Sequence, residues 1–391
     1  MKVLFLMIAY PDVAKNTNMY TDLTTEFQKN GHEVYVAAPD NNSTGIFTEG
    51  NIRVLRIKTF PLFNISVIRK GIANVLLPFQ YKRAIIKYFN NIRFDLVVTP
   101  TPPITFIGTV VFFKNKYGSR IYLILRDIFP QNAKDLGLIK SNFVFSFFRN
   151  KEKKMYQIAD SIGCMSQKNI DYVHSHNPNV DPKKLHLLPN WTRVIEKSST
   201  RQDIKSMYNL NNKFVAIFAG NFGIPQKIEF LIEVAEIIEE KKDILFLLIG
   251  EGTEKNKIKK MVFDKDLKNI RILDQLPRKE YLELLNECDI GLVNLSEKFT
   301  IPNIPSRTLS YWSAKLPVLA AIDKNTDYGE TLNRCEGGLW SVTGNKEAYI
   351  ANLLMFYNNP ELRKLMGENG YKHLIHELNP ERAYKTILSR I

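Results

Sequence analysis

The sequence predicts an α/β protein of two doubly wound, Rossmann-like domains, and three observations carry that expectation. Short, continuously apolar runs alternate with helical segments along the chain, as strands buried on both faces of a parallel sheet require. At 391 residues the chain exceeds what one ordinary hydrophobic core organises. The alternation also breaks off after His186 at a polar stretch, residues 194–202, which reads as a linker, and then restarts.

The opening apolar run, residues 3–9, meets Pro11 and Asp12 at once and lacks a small-x-small cleavage site, so it reads as a buried first strand rather than a signal peptide. Residues 18–29 follow as a helix, with Leu23 and Phe27 at helical spacing and Gly31 placed as its stop. Further strands are expected at 33–39, 53–57, 95–99, 120–125 and 161–165, with no hairpin signal between them. The second half repeats the scheme with strands at 214–219, 244–249, 270–273, 290–293 and 317–320. A helix over 227–240 aligns Phe230, Leu231, Val234, Ile237 and Ile238 on one face. The domains are therefore expected at residues 1–193 and 203–370. Two such domains leave a cleft facing the carboxyl ends of both sheets, where these folds take ligands.

Composition narrows the class. Apolar residues make up 45% and charged residues 24%, as in a globular protein, and no apolar stretch reaches the roughly 18 residues of a membrane span. Cys164, Cys288 and Cys335 are odd in number and widely spaced, which gives neither a disulfide framework nor a zinc cluster and fits a reducing cytoplasm. The net charge of +14 is uneven: residues 1–190 hold 25 Lys and Arg against 13 Asp and Glu, and the remainder 29 against 27. The first half therefore expects an anionic partner. Two stretches there, residues 60–88 and 143–156, set basic residues (Arg69, Lys70, Lys82, Arg83) among apolar ones (Phe63, Ile68, Phe79), which suits either a membrane interface or core helices with solvated outer faces. No nucleic-acid recognition module is present.

Four segments carry chemistry. After the strand at 214–219, the turn Gly220-Asn221-Phe222-Gly223 leads through Gln226 and Lys227 into a helix, a geometry that brings backbone N–H groups to a phosphate, though an ordinary turn reads the same way. Gly250-Glu251-Gly252 at the next strand end gives close approach and a hydroxyl acceptor, or only a bend. Pro305-Ser306-Arg307-Thr308, with Ser306 as N-cap, gathers free N–H groups, a hydroxyl and a guanidinium suited to a diphosphate, or is only a capped surface helix, and Leu309 and Trp312 are expected in the core. In the first half Arg126-Asp127 ends a strand, and Asp127 is placed to orient or deprotonate an acceptor hydroxyl, or to pair with Arg126. Asn18, at the first strand's exit, and Asn190, in Leu188-Pro189-Asn190-Trp191, are candidate cleft residues. Asp264 and Asp266, in a lysine-rich segment, read as a solvated turn rather than a metal pair, and His174 with His176 lacks ligand partners.

Taken in order, these segments resemble family 4 of the retaining GT-B glycosyltransferases, especially the bacterial branch that resembles the fucosamine transferase WbuB. Further marks are Lys29-Asn30-Gly31-His32-Glu33-Val34, Thr101-Pro102-Pro103, Leu276-Pro277-Arg278-Lys279-Glu280-Tyr281 and Tyr311 four residues after Arg307. The resemblance implies a UDP-sugar donor on the C-terminal domain, retention of configuration, no metal or other cofactor, and a last helix at 371–391 crossing back to the first domain. It puts diphosphate contacts on Asn221, Gly223, Gln226 or Lys227 and residues 306–308, with uracil beside the backbone of Leu273 and Leu276. The family's arginine and lysine in the first turn are here Asn221 and Gln226, and its paired glutamates fall on Pro302 and Ser310. The expected activity is transfer of a sugar, such as N-acetylfucosamine, to a lipid-linked saccharide at the inner face of a bacterial membrane, in O-antigen or capsule synthesis. A nucleotide-sugar epimerase or hydrolase, or a non-catalytic membrane assembly protein, is the alternative.

Overall fold

The computed structural model describes residues 1–13, 16–61, 67–194 and 204–391, with 67–70 as backbone only. The expected linker therefore lies outside the described residues except for Val194, as do Phe63 and the side chains of Ile68, Arg69 and Lys70. The chain divides into two compact units, Met1–Arg193 with Pro380–Ile391, and Val194–Asn379.

The first unit runs β1 (Lys2–Leu6), α1 (Met19–Lys29), β2 (Glu33–Asp40), β3 (Gly45–Glu49), β4 (Ile52–Lys58), α2 (Val67–Tyr88) and β5 (Leu96–Thr101). It continues with α3 (Ile107–Tyr117), β6 (Arg120–Leu125), α4 (Gln131–Asp135), α5 (Asn142–Ile158), β7 (Ser161–Cys164), α6 (Gln167–His176) and β8 (Leu185–Leu187). Its sheet has the order β3-β4-β2-β1-β5-β6-β7-β8, parallel except for the antiparallel β3–β4 pair. That hairpin corrects the expectation that none exists. Its outer strand is largely exposed and so carries no continuous apolar run. Strand order reverses between β1 and β5, and the carboxyl ends there form the switch point at which such sheets bind ligands.

The second unit comprises α7 (Ile204–Met207), β9 (Phe214–Ala219), α8 (Ile228–Ile237), β10 (Ile244–Ile249), α9 (Lys255–Asp264), β11 (Ile270–Leu273), α10 (Arg278–Leu285) and β12 (Ile290–Asn294). Then come α11 (Thr308–Ser313), β13 (Val318–Ile322), α12 (Tyr328–Cys335), β14 (Gly338–Val342), α13 (Lys346–Asn358) and α14 (Pro360–Glu377). The wholly parallel sheet β11-β10-β9-β12-β13-β14 has its switch point between β9 and β12. Along β9 the even-numbered Phe214, Ala216 and Phe218 enter one apolar layer, and Val215 and Ile217 the opposite one. Two covered faces are why this strand reads as an unbroken apolar run.

The last helix is two helices. α14 stays with the second unit, and only α15 (Pro380–Leu388) joins the first, so the return comes at Pro380 rather than residue 371. There Tyr384 packs edge-on against Phe27 of α1 at 4.9 Å, its hydroxyl lies 3.0 Å from His32 Nε2, and Ile387 is fully buried. Among the described residues no helix is long and apolar enough to cross a membrane.

Candidate functional site

In the second unit the two glycine turns interlock at the carboxyl ends of β9 and β10. The Phe222 N–H donates to the Glu251 carbonyl (2.7 Å) and the Glu254 N–H to the Phe222 carbonyl (2.8 Å). Gly250 adopts φ +149°, and a Cβ there would stand 1.8 Å from the Gly220 carbonyl oxygen, so only glycine lets the turns meet. Gly252, at φ +155°, faces the same constraint against Phe222. The Gln226 amide nitrogen, turned to the carbonyls of Asn221 and Gly223 (3.1 and 3.2 Å), closes the first turn.

Arg307 reaches this turn from the loop after β12. Its guanidinium lies over the Phe218 ring at 4.1 Å and beside Gly220, where a Cβ would come within 3.0 Å of it. Burial holds its pKa below the ordinary guanidinium value, and buried Nη1 has no hydrogen-bond partner. An unpaired buried donor carries a desolvation cost of about 1–3 kcal/mol, larger for a charged group, which a bound anion would remove. Two more orphaned groups share the β12 exit and its loop: both side-chain polar atoms of Asn294, and Nδ2 of Asn303. Sequence reading passed over Asn294. Its only signal is a polar residue closing the apolar run Ile290–Asn294.

The neighbouring candidates hold the site together. Ser306 makes no side-chain cap; α11 begins at Thr308 with Arg307 as N-cap, correcting the expected start. The Thr308 hydroxyl is buried against Tyr328 OH at 2.5 Å. Tyr311 is fully buried, its hydroxyl donating to the Leu292 carbonyl (3.2 Å) and accepting from the Ala219 N–H (3.1 Å). It thus fixes α11 to β9 and β12. Pro305 is half-buried in the loop leading to Arg307. Lys227 pairs with Glu297 (2.5 Å), and Glu251 pairs with Lys255 (2.5 Å), which also holds Asp274 (2.6 Å). Leu273 and Leu276 pack on the core edge, the Leu273 carbonyl accepting from the Gly250 N–H at 3.2 Å.

In the first unit, Arg126 and Asp127 follow β6. Burial raises the Asp127 carboxyl pKa to about 7; the Ile128 N–H, the Asn132 amide and Arg126 oppose that rise. Its Oδ2 accepts from Asn132 Nδ2 (2.5 Å), while buried Oδ1 and Arg126 Nη1 have no hydrogen-bond partner. The Thr101 hydroxyl donates to the Asp127 carbonyl (3.1 Å) and ties the β5 exit to the β6 exit. Asn18 is a helix cap: Oδ1 accepts from the Tyr20 and Thr21 N–H groups (2.9 and 3.0 Å), and Nδ2 donates to the Ala9 carbonyl (3.0 Å). It also lines a pocket of about 510 Å³ with Tyr10, Thr17 and Asp40 at the β1 and β2 exits. Asn190 is buried just before Trp191, whose indole N–H donates to the Met19 carbonyl (2.6 Å).

Two family models divide the chain between them: Glycosyltransferase Family 4 matches residues 17–194, and Glycosyl transferases group 1 matches residues 200–373. The chain is a family 4 glycosyltransferase of the GT-B type. Among its relatives is a probable glycosyltransferase, WbjE of Pseudomonas aeruginosa, 24% identical over 75% of this chain and 74% of that protein. The putative colanic acid biosynthesis glycosyl transferase WcaI of Escherichia coli is 23% identical over 45% of this chain and 44% of its own. The solved structure of Anabaena HepE in complex with UDP-glucose superposes with a TM-score of 0.71 over 100% of this chain and 98% of that one, at 14% identity.

In the glycosyltransferase the decoys are engaged elsewhere. Asp264 pairs with Lys260 (2.6 Å) and Asp266 with Lys268, and His176 stacks on Tyr172 at 3.9 Å. Among the described residues no cluster of three or more His, Cys, Asp or Glu side chains forms a metal site.

Proposed function

We propose that the chain transfers a sugar, with retention and without a metal, from a UDP-sugar to a lipid-linked saccharide in bacterial surface polysaccharide synthesis. The observation that carries this reading is Arg307: a half-buried residue whose guanidinium keeps a buried, unpartnered N–H, set beside two interlocked glycine turns at a parallel-sheet switch point. A diphosphate is the anion that such a fork and such open turns accommodate. UDP-glucose in HepE supports a uridine nucleotide sugar. The colanic acid role named for WcaI supports polysaccharide synthesis, of O-antigen or capsule. The basic excess of residues 1–190 supports work at the anionic inner face of a membrane.

In this reading the β-phosphate of departing UDP gains negative charge as the sugar bond breaks, and Arg307 offsets it in place. Asn294 and Asn303 offer further donors to the sugar or phosphate, and Gly220 and Gly223 keep the first turn open for them. On the acceptor side Asp127, half-ionised near pH 7, accepts a hydrogen bond or proton from the attacking hydroxyl. The test is UDP release from a panel of UDP-sugars with and without a lipid-linked saccharide. Release that requires the acceptor is expected; release by water alone would make the chain a hydrolase. A donor that binds the native state must also raise its Tm.

A further inference from the structure

We propose that a groove between α2, α3 and α5 of the first unit holds the hydrocarbon chain of a phosphate-bearing lipid, the acceptor itself. The inference rests on the reading of the chain as a transferase acting on a lipid-linked saccharide. The groove encloses about 560 Å³, within the roughly 300–1,000 Å³ of small-molecule sites. Val75, Phe79, Val111 and Phe147 give it apolar walls, and Phe79 (69% exposed) and Phe147 (41%) remain open to solvent. Its charged lining is Lys82, Lys151 and Lys154, with no carboxylate among them. Lys151 sits over the Phe147 ring at 4.8 Å, which holds its ammonium group close to an apolar wall, and Lys82 sits over the ring of Phe112, on α3, at 4.4 Å.

A second observation comes from Thr105, in the turn between β5 and α3. Its side chain belongs to the groove wall and is 3% exposed, yet its hydroxyl has no hydrogen-bond partner. An apolar slot bordered by cations, with one buried unpaired hydroxyl, matches a chain that ends in a phosphate: hydrocarbon against the phenylalanines, phosphate oxygens on the lysines and Thr105.

Position favours the acceptor over bulk membrane lipid. Phe147 and Phe148 are in ring contact at 5.2 Å, and Phe148 packs on Phe129, two residues after Asp127, also at 5.2 Å. Thr105 follows the β5 exit that Thr101 bonds to Asp127. The groove and the candidate acceptor carboxylate are thus built on adjoining strand exits, so a lipid seated there presents its sugar toward Asp127.

Gly108 supplies a test that leaves the fold intact, because it lines the groove and a Cβ at that position meets nothing within 4 Å. Gly108→Leu fills the groove and replaces a helical glycine with a better helix former. The full-length protein is titrated with fluorescently labelled dodecyl phosphate, with inorganic phosphate and dodecanol as controls, and with phosphatidylglycerol vesicles. Saturable one-to-one binding of dodecyl phosphate is expected, weakened tenfold or more by Gly108→Leu and by Lys82→Glu/Lys154→Glu, while Gly108→Leu leaves vesicle binding unchanged. Absence of saturable binding, or binding untouched by Gly108→Leu, overturns the proposal. Loss of vesicle and dodecyl phosphate binding together in Gly108→Leu also overturns it and makes the groove a membrane dock. UDP-induced Tm shifts, measured in parallel, report on the donor site alone, so failure of the transferase reading is separable from failure of the groove.

Discussion

Arg307 and Asp127 are half-buried charged groups that the surrounding protein leaves partly unpaired, a state that carries a cost unless a ligand completes it. Arg307→Ala is expected to lower kcat roughly tenfold or more while the Tm holds or rises, because it removes both a charge-stabilising donor and a desolvated cation. Unchanged kcat in the folded variant would dismiss the diphosphate assignment. Arg307→Lys should recover only part of the loss, since one ammonium cannot reproduce a two-toothed fork. For Asp127 the sign follows from linkage. Its folded pKa of about 7 lies above the ordinary carboxylate value, so the native state holds the extra proton between roughly pH 4 and 7. Its contribution to stability is therefore present below pH 4 and lost as the pH rises through 7. Asp127→Asn should raise Tm at pH 8 more than at pH 5, by roughly 2–4 °C for each 1 kcal/mol in a domain this size. The same variant should lose the rise in kcat through pH 7 that an ionising acceptor group gives; an identical pH profile would remove Asp127 from the reaction.

At the scale of elements, the proposed donor site depends on turns meeting turns. Gly250→Ala places a methyl group against the Gly220 carbonyl in a backbone conformation that L residues rarely adopt, so about 1–3 kcal/mol of stability should be lost. UDP binding should weaken with it, and calorimetric titration with UDP would read the effect directly. Gly291 has a matching role in β12: a Cβ there would lie 2.3 Å from the Tyr311 ring, which is how α11 comes close enough to carry Arg307 over Phe218. Individual strands buried on both faces were legible as apolar runs, down to the ends of β6, β9 and β10. β3, β8 and β14 were not, because an edge or three-residue strand needs no such run. Of the site, the glycine turns and Arg307 were legible because loop glycines and a lone arginine among apolar segments stand out. Asn294 was not, since its isolation is visible only when its neighbours are known not to bond it.

For the whole molecule, the first unit is completed by a helix that begins at Pro380, far along the chain from Leu187, where the sheet's last strand ends. α15 buries Ala383, Tyr384 and Ile387 in the apolar layer that holds Phe27 and Val34. Each large apolar side chain removed from that layer withdraws about 1.5–3 kcal/mol. Deletion of residues 380–391 should therefore lower the melting transition of the first unit, and leave that of the second close to its wild-type position in calorimetry. A single unshifted transition would show that α15 contributes nothing to the first core.

The sequence by itself determined the α/β class, two parallel-sheet units, the family and the identity of the main diphosphate candidate, because apolar period, glycine placement and motif order are properties of local chain. Tertiary structure alone decided which candidates are free. Asn18 caps a helix, Tyr311 and Thr308 bond inward and Lys227 meets Glu297, whereas Arg307, Asn294 and Asp127 keep unpartnered atoms. Whether a polar group is satisfied depends on atoms brought close from distant parts of the chain, and on the water that their packing excludes.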